Sequence, residues 1–227
     1  MNQPKARPKG RCVFCDQLYS GGGLSRHLAS HLNQLPRFKG VKAFHLKITA
    51  PYHPHFLHVL IDGRFYLEDL DGFLRDIWLD CCGHLSKFFE SFWGNEVAMD
   101  LPINRAFKVG SKLNYAYDFG STTELLVKCI HTYPVIAPDS DGFLLLSRNE
   151  PIEQPCDHCQ QQTATYVCSV HVPGEEEMYF CDACSEIHEE ECPDAEYSLL
   201  PMVNSPRSGV CAYDGGAIDV ERDRVVT

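Results

Sequence analysis

The middle of the chain alternates between apolar and polar positions in a way that predicts a sheet. Val41 to Ile48 reads VKAFHLKI, an alternating run rich in strand-forming residues, and Phe56 to Ile61 is a second apolar run. Three later runs predict further strands: Leu113 to Phe119, Leu125 to Ile130 and Phe143 to Leu146. From Leu67 to Trp78, apolar residues recur at helical spacing. We therefore expect an α+β fold with a mostly antiparallel sheet and one or more helices.

Composition divides the chain into three segments, which we take as candidate domains. Residues 1–40 hold a basic lead and a compact Cys/His unit, and residues 41–150 have ordinary globular patterning. Residues 151–227 open with a Pro-bounded linker and are dominated by Cys, His and Glu before a C-terminal tail. The middle segment is long enough to bury a workable core.

The chain contains twelve cysteines and eleven histidines, which indicate metal-binding modules in addition to the sheet. The N-terminus lacks the apolar stretch of an export signal, and no run approaches the roughly 18 apolar residues of a membrane span. In a reducing compartment, clustered cysteines hold metal more often than disulfides. We therefore expect a cytoplasmic protein with no membrane partner and with small zinc-stabilised modules flanking the sheet.

Charge is distributed unevenly along the chain. Residues 1–42 contain eight Lys or Arg and one Asp, although the whole chain has a formal net charge of −11. The acidic remainder repels phosphate, so any nucleic-acid contact is expected to begin at the basic N-terminal segment.

The N-terminal segment carries four residues with zinc-ligand spacing: Cys12, Cys15, His27 and His31. A CxxC pair offers two thiolates, and histidines four apart share one helical face, so the four side chains can close a tetrahedron. The segment resembles the two-Cys/two-His zinc finger, with eleven rather than twelve residues between Cys15 and His27. The alternative is a coincidental CxxC beside a helix that bears histidines.

The resemblance to the finger also identifies its base-reading positions, which are Ser20, Gly23 and Arg26. Only Arg26 has a side chain suited to base readout. We expect this finger to be structural or to contact phosphate, with nucleic-acid binding that is weak and largely non-specific.

The C-terminal segment holds eight further candidate zinc ligands in four closely spaced pairs: Cys156, Cys159, Cys168, His171, Cys181, Cys184, His188 and Cys192. The series resembles the cross-braced B-box and RING-like modules. That resemblance implies one ion on Cys156, Cys159, Cys181 and Cys184, and a second on the other four residues. Together with the finger, the prediction is three zinc ions.

Two questions stay open for this segment. A single-ion version would leave Cys168 and His171 uninvolved, and Cys211 is either a substitute ligand or a buried thiol.

Three short segments of the middle resemble the plasmid pRiA4b ORF-3-like family: FHLKI at 44–48, CCGHLSKF at 81–88 and YAYDFGSTTEL at 115–125. The resemblance covers about 41–135, and YDFG is its most specific part. Many members continue YDFGDxWxH, whereas Ser121, Thr123 and Leu125 stand at these positions here, so the roles of those family residues do not carry over. The family implies no established biochemical activity.

Two features of the middle segment invite a catalytic interpretation. Cys81, Cys82 and His84 could form a nucleophile and base, but no accompanying pattern supplies an orienting group, so we favour buried thiols at a helix end. Asp118 and Gly120 indicate a sharp turn in which Asp118 caps and Gly120 takes a positive φ.

We therefore hypothesise a non-enzymatic zinc-binding interaction module whose partner is a protein. The alternative is an enzyme of unassigned chemistry with a pocket near Tyr117, Asp118 and His84.

Overall fold

The computed structural model describes residues 8–137, 142–169 and 177–218, and these residues form two compact units. The first unit comprises the described residues of Met1–Phe73 and Leu85–Glu150. The second comprises Leu74–His84 and the described residues of Pro151–Thr227. The N-terminal Cys/His segment therefore shares a unit with most of the 41–150 segment, whereas Leu74–His84 belongs with the C-terminal one.

The first unit begins with a small ββα element. Its two strands, β1 (Lys9–Arg11) and β2 (Leu18–Ser20), pair antiparallel and lead directly into the helix α1 (Gly21–Leu32). This is the hairpin-and-helix order expected of a zinc finger.

The remaining elements of this unit form an antiparallel sheet and two short helices. The strands are β3 (Ala43–Thr49), β4 (Phe56–Asp62), β5 (Ser86–Phe89), β6 (Glu96–Val97), β7 (Lys112–Tyr117), β8 (Thr123–Tyr133) and β9 (Phe143–Arg148). The helices are α2 (Leu67–Leu74), whose last residue belongs to the second unit, and α3 (Ile103–Ala106). Among the described residues the strand order is β6-β5-β7-β8-β3-β4-β9, with every neighbouring pair antiparallel. The α+β fold class with a mostly antiparallel sheet is confirmed.

The helix α1 packs against the sheet rather than standing apart. Its apolar face consists of Leu24, Leu28 and Leu32, which are fully buried in one hydrophobic cluster with Phe56 and Leu60 of β4. Residues four apart lie on one face of a helix, so this spacing turns a single stripe toward the sheet. The finger is therefore part of the core of the first unit.

Backbone hydrogen bonds tie the finger to β9. The register of β9 against β4 shifts beside Leu146, and the carbonyl of Leu146 accepts a hydrogen bond from the Val13 amide at 3.0 Å. The Glu150 amide donates to the Lys9 carbonyl at 2.8 Å, and the Arg11 guanidinium lies 3.4 Å from the Glu150 carboxylate. A bulge leaves one strand residue outside the regular ladder, and here the finger uses that carbonyl.

A close approach of β1 to the sheet generates a first prediction. A Cβ on Gly10 would lie 2.6 Å from Ser147 Oγ and 2.9 Å from the Arg148 carbonyl oxygen. We expect Gly10→Ala to lower the free energy of unfolding by about 1–3 kcal/mol, because overpacking displaces neighbouring atoms. Urea denaturation measures the change.

The matched control is Gly22→Ala in α1, where an added Cβ has nothing within 4 Å. Alanine favours helix over glycine by up to about 1 kcal/mol, so this variant should be as stable as the parent or more stable. Equal stability of the Gly10→Ala variant and the parent would contradict the close packing of β1.

Two histidines are buried side by side within the sheet. His45 Nε2 on β3 lies 2.8 Å from His58 Nδ1 on β4, and neither residue is exposed to solvent. Burial, then the charges of His131 and Lys47, lowers the pKa of His45 to about 4. Burial and the charge of His45 also hold the pKa of His58 well below its ordinary value. Both imidazoles are therefore neutral at pH 7.

This pair predicts a loss of stability in mild acid. Between pH 6.5 and about 4 the unfolded chain binds a proton at His45 that the folded protein excludes. The free energy of unfolding should therefore fall as the pH drops through this window, by roughly 3 kcal/mol for His45. Urea denaturation at a series of pH values measures this dependence.

Because acid also displaces metal from thiolates, variants are compared with the parent at each pH. His58→Gln should weaken the pH dependence. His53→Gln, at an exposed position before β4, should weaken it less, because His53 acts through its charge on His55. An identical pH dependence in all three proteins would contradict the assignment.

The second unit is built from short elements. They are a π-helical turn (Arg75–Leu79), the strands β10 (Tyr166–Cys168), β11 (Met178–Phe180) and β12 (Leu199–Pro201), and the helices α4 (Asp182–Glu191) and α5 (Ala195–Ser198). The three strands pair antiparallel in the order β11-β10-β12. Within the described ranges of both units, no helix combines the length and apolarity that crossing a membrane requires.

Candidate zinc centres

The four candidate ligands of the finger converge. Cys12 and Cys15 lie in the loop after β1, and His27 and His31 lie one turn apart on α1. The ligand atoms of all four residues lie within 4.8 Å of one another. Cys15 Sγ is 3.2 Å from His27 Nε2, which is itself 3.2 Å from His31 Nε2.

Aromatic rings hold the two histidines of the finger in place. Tyr19 stacks on His27 with ring centroids 3.9 Å apart, and Phe14 stacks on His31 at 5.1 Å. Burial and the charge of His31 lower the pKa of His27, which favours the neutral imidazole that metals bind.

A second cluster consists of four thiols: Cys156, Cys159, Cys181 and Cys184. The first two lie in the turn before β10, and the last two lie where α4 begins, with Cys181 preceding its first residue. Cys159 Sγ is 3.8 Å from Cys181 Sγ. Cys156, Cys181 and Cys184 form the buried core of this part of the unit with Phe180 and Cys168. The half-buried Cys159 packs against that core.

The electrostatics of these thiols suit a cation. Burial by itself raises the pKa of Cys156, but hydrogen bonds from the backbone at Cys159, Cys181 and His158 lower it to about 6. Burial and the neighbouring thiols raise the pKa of Cys184 to about 12. Four thiolates at this spacing repel one another, so all four ionise together only when a metal ion balances their charge.

A third cluster contains Cys168 on β10, His188 on α4 and Cys192 after α4, with ligand atoms within 4.8 Å of one another. The His188 ring stacks on Phe180 at 4.2 Å. The fourth expected ligand, His171, lies outside the described residues. Cys168, which the single-ion alternative leaves uninvolved, therefore lies with two other candidate ligands.

The structure also brings together four residues that the sequence did not group: Cys81, Cys82, His84 and Cys211. The expectation of buried thiols at Cys81 and Cys82 is wrong, since Cys82 is exposed and Cys81 is half-buried. The helical segment ends at Leu79, and a turn in which Asp80 Oδ1 accepts the Gly83 amide carries these cysteines outward.

One signal in the sequence pointed to this fourth cluster. Cys82 and His84 have the close spacing of a ligand pair, and Cys211 had no assigned role. Cys82 and Cys211 are 129 positions apart in sequence, and local spacing cannot show which distant segments meet.

The donor atoms in these clusters fit zinc. Tetrahedral zinc with bonds of about 2.3 Å to sulfur and 2.0–2.1 Å to nitrogen separates its ligands by about 3.8 Å (S···S), 3.5 Å (S···N) and 3.3 Å (N···N). The observed 3.8 Å between Cys159 and Cys181, and 3.2 Å from His27 to both Cys15 and His31, lie close to these values. The Cys/His clusters are therefore compatible with zinc binding.

The turn after β7 has a structural explanation. Asp118 Oδ1 accepts hydrogen bonds from the Gly120 amide at 2.9 Å and the Ser121 amide at 3.2 Å, so Asp118 caps the turn as expected. The expected positive φ at Gly120 is wrong, because Asp118 itself takes the left-handed conformation with φ 64°. Aspartate tolerates this region because its side chain bonds to the local backbone.

Comparison with known proteins adds little to this description. No family model matches the chain, and no curated protein matches it. Among solved structures, a protein of unknown function from Methanosarcina mazei Go1 matches with a TM-score of 0.41 and 16% sequence identity. The match covers 52% of this chain and 74% of that one. It is too distant to transfer a function.

The clusters predict a selective response to metal removal. Chelation at neutral pH should deprotect the backbone amides of β10, β11 and α4, because the core around them is largely made of cysteine ligands. Strands β3, β4 and β8 should stay protected, since their core consists of hydrocarbon side chains. Amide hydrogen exchange before and after chelation measures both responses.

Re-addition of zinc should restore protection in the second unit and serves as the control for irreversible damage. Unchanged protection of α4 after complete metal removal would contradict a metal-dependent core.

Proposed function

We propose that this chain is a non-enzymatic zinc-binding protein in which zinc maintains the fold and an exposed aromatic surface binds a protein partner. The observation that carries the first part is the composition of the clusters. Cys and His residues supply the whole coordination set of the finger and of the four-cysteine site. Structural zinc sites are closed in this way, whereas catalytic zinc keeps a position open for water or substrate.

Two of the three residues named for the enzyme alternative have other partners in this fold. Asp118 is occupied by the amides of Gly120 and Ser121, and His84 lies in the fourth Cys/His cluster. Membership of the pRiA4b ORF-3-like family stays a proposal based on the YDFG segment, and it implies no chemistry that would favour an enzyme.

The second part of the proposal is supported by a surface of the first unit. Trp93 is 59% exposed and Leu85 is 73% exposed, and both line a shallow groove together with Phe89 and Phe119. The Trp93 ring lies 5.8 Å from Phe89 and 6.0 Å from Phe119. Exposed aromatic clusters of this kind are enriched at protein interfaces, where tryptophan contributes much of the binding energy.

The backbone at Trp93 strengthens this interpretation. Its φ of 55° is unfavourable for a bulky residue and costs about 1–2 kcal/mol. The turn between β5 and β6 therefore holds a large apolar side chain in solvent at a cost in stability. Strain of this kind at an exposed aromatic residue supports the proposed binding role.

The strain permits a test that separates binding from folding. Trp93→Gly removes the ring and relieves the positive φ, so the variant should melt at the same temperature as the parent or higher. It should nevertheless lose a protein partner that co-purifies with the parent from native extract in quantitative affinity purification. Nuclease treatment should leave that partner in place.

Tyr52→Ala is the matched control, because Tyr52 is 81% exposed in the same unit but does not line the groove. This variant should retain the partner. If Trp93→Gly and the parent recover the same proteins, the proposed surface is wrong. If the partner disappears after nuclease treatment, nucleic acid rather than the groove mediates the contact.

Nucleic-acid contact through the N-terminal segment is a separate expectation. Lys9 and Arg26 are exposed, whereas Arg11 is paired with Asp16 and Glu150. Binding should be weak, insensitive to sequence and steeply reduced by salt.

Lys9→Gln and Arg26→Gln should weaken this binding by similar factors and reduce its salt slope by about one charge each. Salt titrations with two unrelated duplexes measure both effects. Salt-insensitive binding, or discrimination between duplexes that depends on Arg26, would contradict the expectation.

A further inference from the structure

We propose that Cys81, Cys82, His84 and Cys211 bind a structural zinc ion, in addition to the three ions predicted from the sequence. The site would take a tetrahedral divalent cation with three thiolate ligands and one imidazole. It lies wholly within the second unit, and it goes beyond the proposed function.

The distances between ligand atoms support this site. Cys82 Sγ lies 3.7 Å from both Cys81 Sγ and Cys211 Sγ, close to the sulfur separation of about 3.8 Å in a zinc tetrahedron. His84 Nε2 lies 3.0 Å from Cys82 Sγ and 3.4 Å from Cys211 Sγ. Similar separations, 3.2 Å between Cys15 Sγ and His27 Nε2 and 3.8 Å between Cys159 Sγ and Cys181 Sγ, occur in the finger and in the four-cysteine cluster.

The charge around the cluster also fits a metal-bound state. Three thiolates, one neutral imidazole and Zn²⁺ carry a net charge of −1. Arg207 is fully buried, and its guanidinium donates a hydrogen bond to Cys81 Sγ at 3.4 Å. A buried guanidinium requires anionic or acceptor groups around it, and ligand thiolates are commonly fixed by such outer hydrogen bonds.

The backbone around these ligands adopts conformations that are energetically unfavourable. Cys211 and Ala212 both take left-handed conformations, with φ of 54° and 52°, and Gly83 takes φ 77° in the turn before His84. Consecutive left-handed residues other than glycine are unfavourable, so they persist where other interactions determine them. Coordination of Cys211 supplies such an interaction.

The proposed ion would fasten two segments of the second unit that are distant in sequence. The same segments are already joined by a hydrogen bond from Ser205 Oγ to the Trp78 carbonyl at 2.7 Å and by another from the Ile218 amide to the Asp76 carbonyl at 3.0 Å. A closed set of four protein ligands leaves no position for substrate, so the role we infer is structural.

Native mass spectrometry of the full chain tests the proposal. The parent should bind four zinc ions, and Cys211→Ser should bind one fewer. Cys129→Ser is the matched control, because Cys129 is a buried thiol on β8 outside every cluster, and it should bind as many ions as the parent. Equal zinc counts for the parent and Cys211→Ser would overturn the site.

A second pair of variants keeps the test decisive if Cys211→Ser folds poorly. His84→Ala should lose one ion, whereas His84→Cys should retain it, because thiolate replaces imidazole as a zinc ligand. Amide exchange over Leu74–His84 should rise in His84→Ala and stay at the parental level in His84→Cys. Identical ion counts in these two variants would overturn the site.

The finger variant Cys15→Ser distinguishes this proposal from the proposed function. If both proposals hold, Cys15→Ser and Cys211→Ser each lose one ion, and the double variant loses two. If Cys15→Ser keeps every ion while Cys211→Ser loses one, the zinc-dependent finger fails and the fourth site stands.

Discussion

The four-cysteine module of the second unit depends on one constraint, which is that cysteine occupies positions that hydrocarbon side chains fill in most cores. Around Phe180, the buried residues Cys156, Cys168, Cys181 and Cys184 form the centre of the module. Thiols bury little apolar area, and thiolates at this spacing repel one another. A bound cation would convert this repulsion into attraction, so metal affinity would contribute directly to the folding free energy of this module.

The first unit is stabilised by a hydrocarbon core rather than by cysteine ligands. Its sheet buries a continuous set of aliphatic and aromatic residues, and the finger contributes Leu24, Leu28 and Leu32 to one of its clusters. In an isolated finger, metal compensates for a core that is too small. Here the sheet supplies much of that core, and zinc ligation would chiefly fix the loop of Cys12 and Cys15 against α1. The apolar face of α1 packs on the sheet, and Ser20 and Arg26 lie on the exposed side.

Local patterns in the sequence were sufficient for the elements with strong periodicity. The alternating run at 41–48 became β3, and the helical run from Leu67 became α2 followed by the π-helical turn. Strands β5 and β6 were not predicted, because runs of four and two residues give too little alternation. The finger was recognisable because its ligands lie within twenty residues. Cys211 was not placed, because its neighbours Cys82 and His84 lie more than 120 residues away.

The turn after β7 departs from expectation, and the turn at Trp93 shares its left-handed backbone conformation. At the end of β7, glycine and aspartate both tolerate a positive φ, and the outcome depends on which residue the amides of the turn can reach. Asp118 takes that conformation because its carboxylate then accepts two of them. At Trp93 the same backbone conformation places the ring beside Phe89 and Phe119 but leaves it 59% exposed. The groove beside it is also lined by Lys87 and Glu96. In the first turn, hydrogen bonds to Asp118 offset the cost of the left-handed conformation. In the second, burial of the Trp93 ring by the proposed partner would offset the same cost. That difference is our physical reason to propose the partner surface at Trp93 rather than at Asp118.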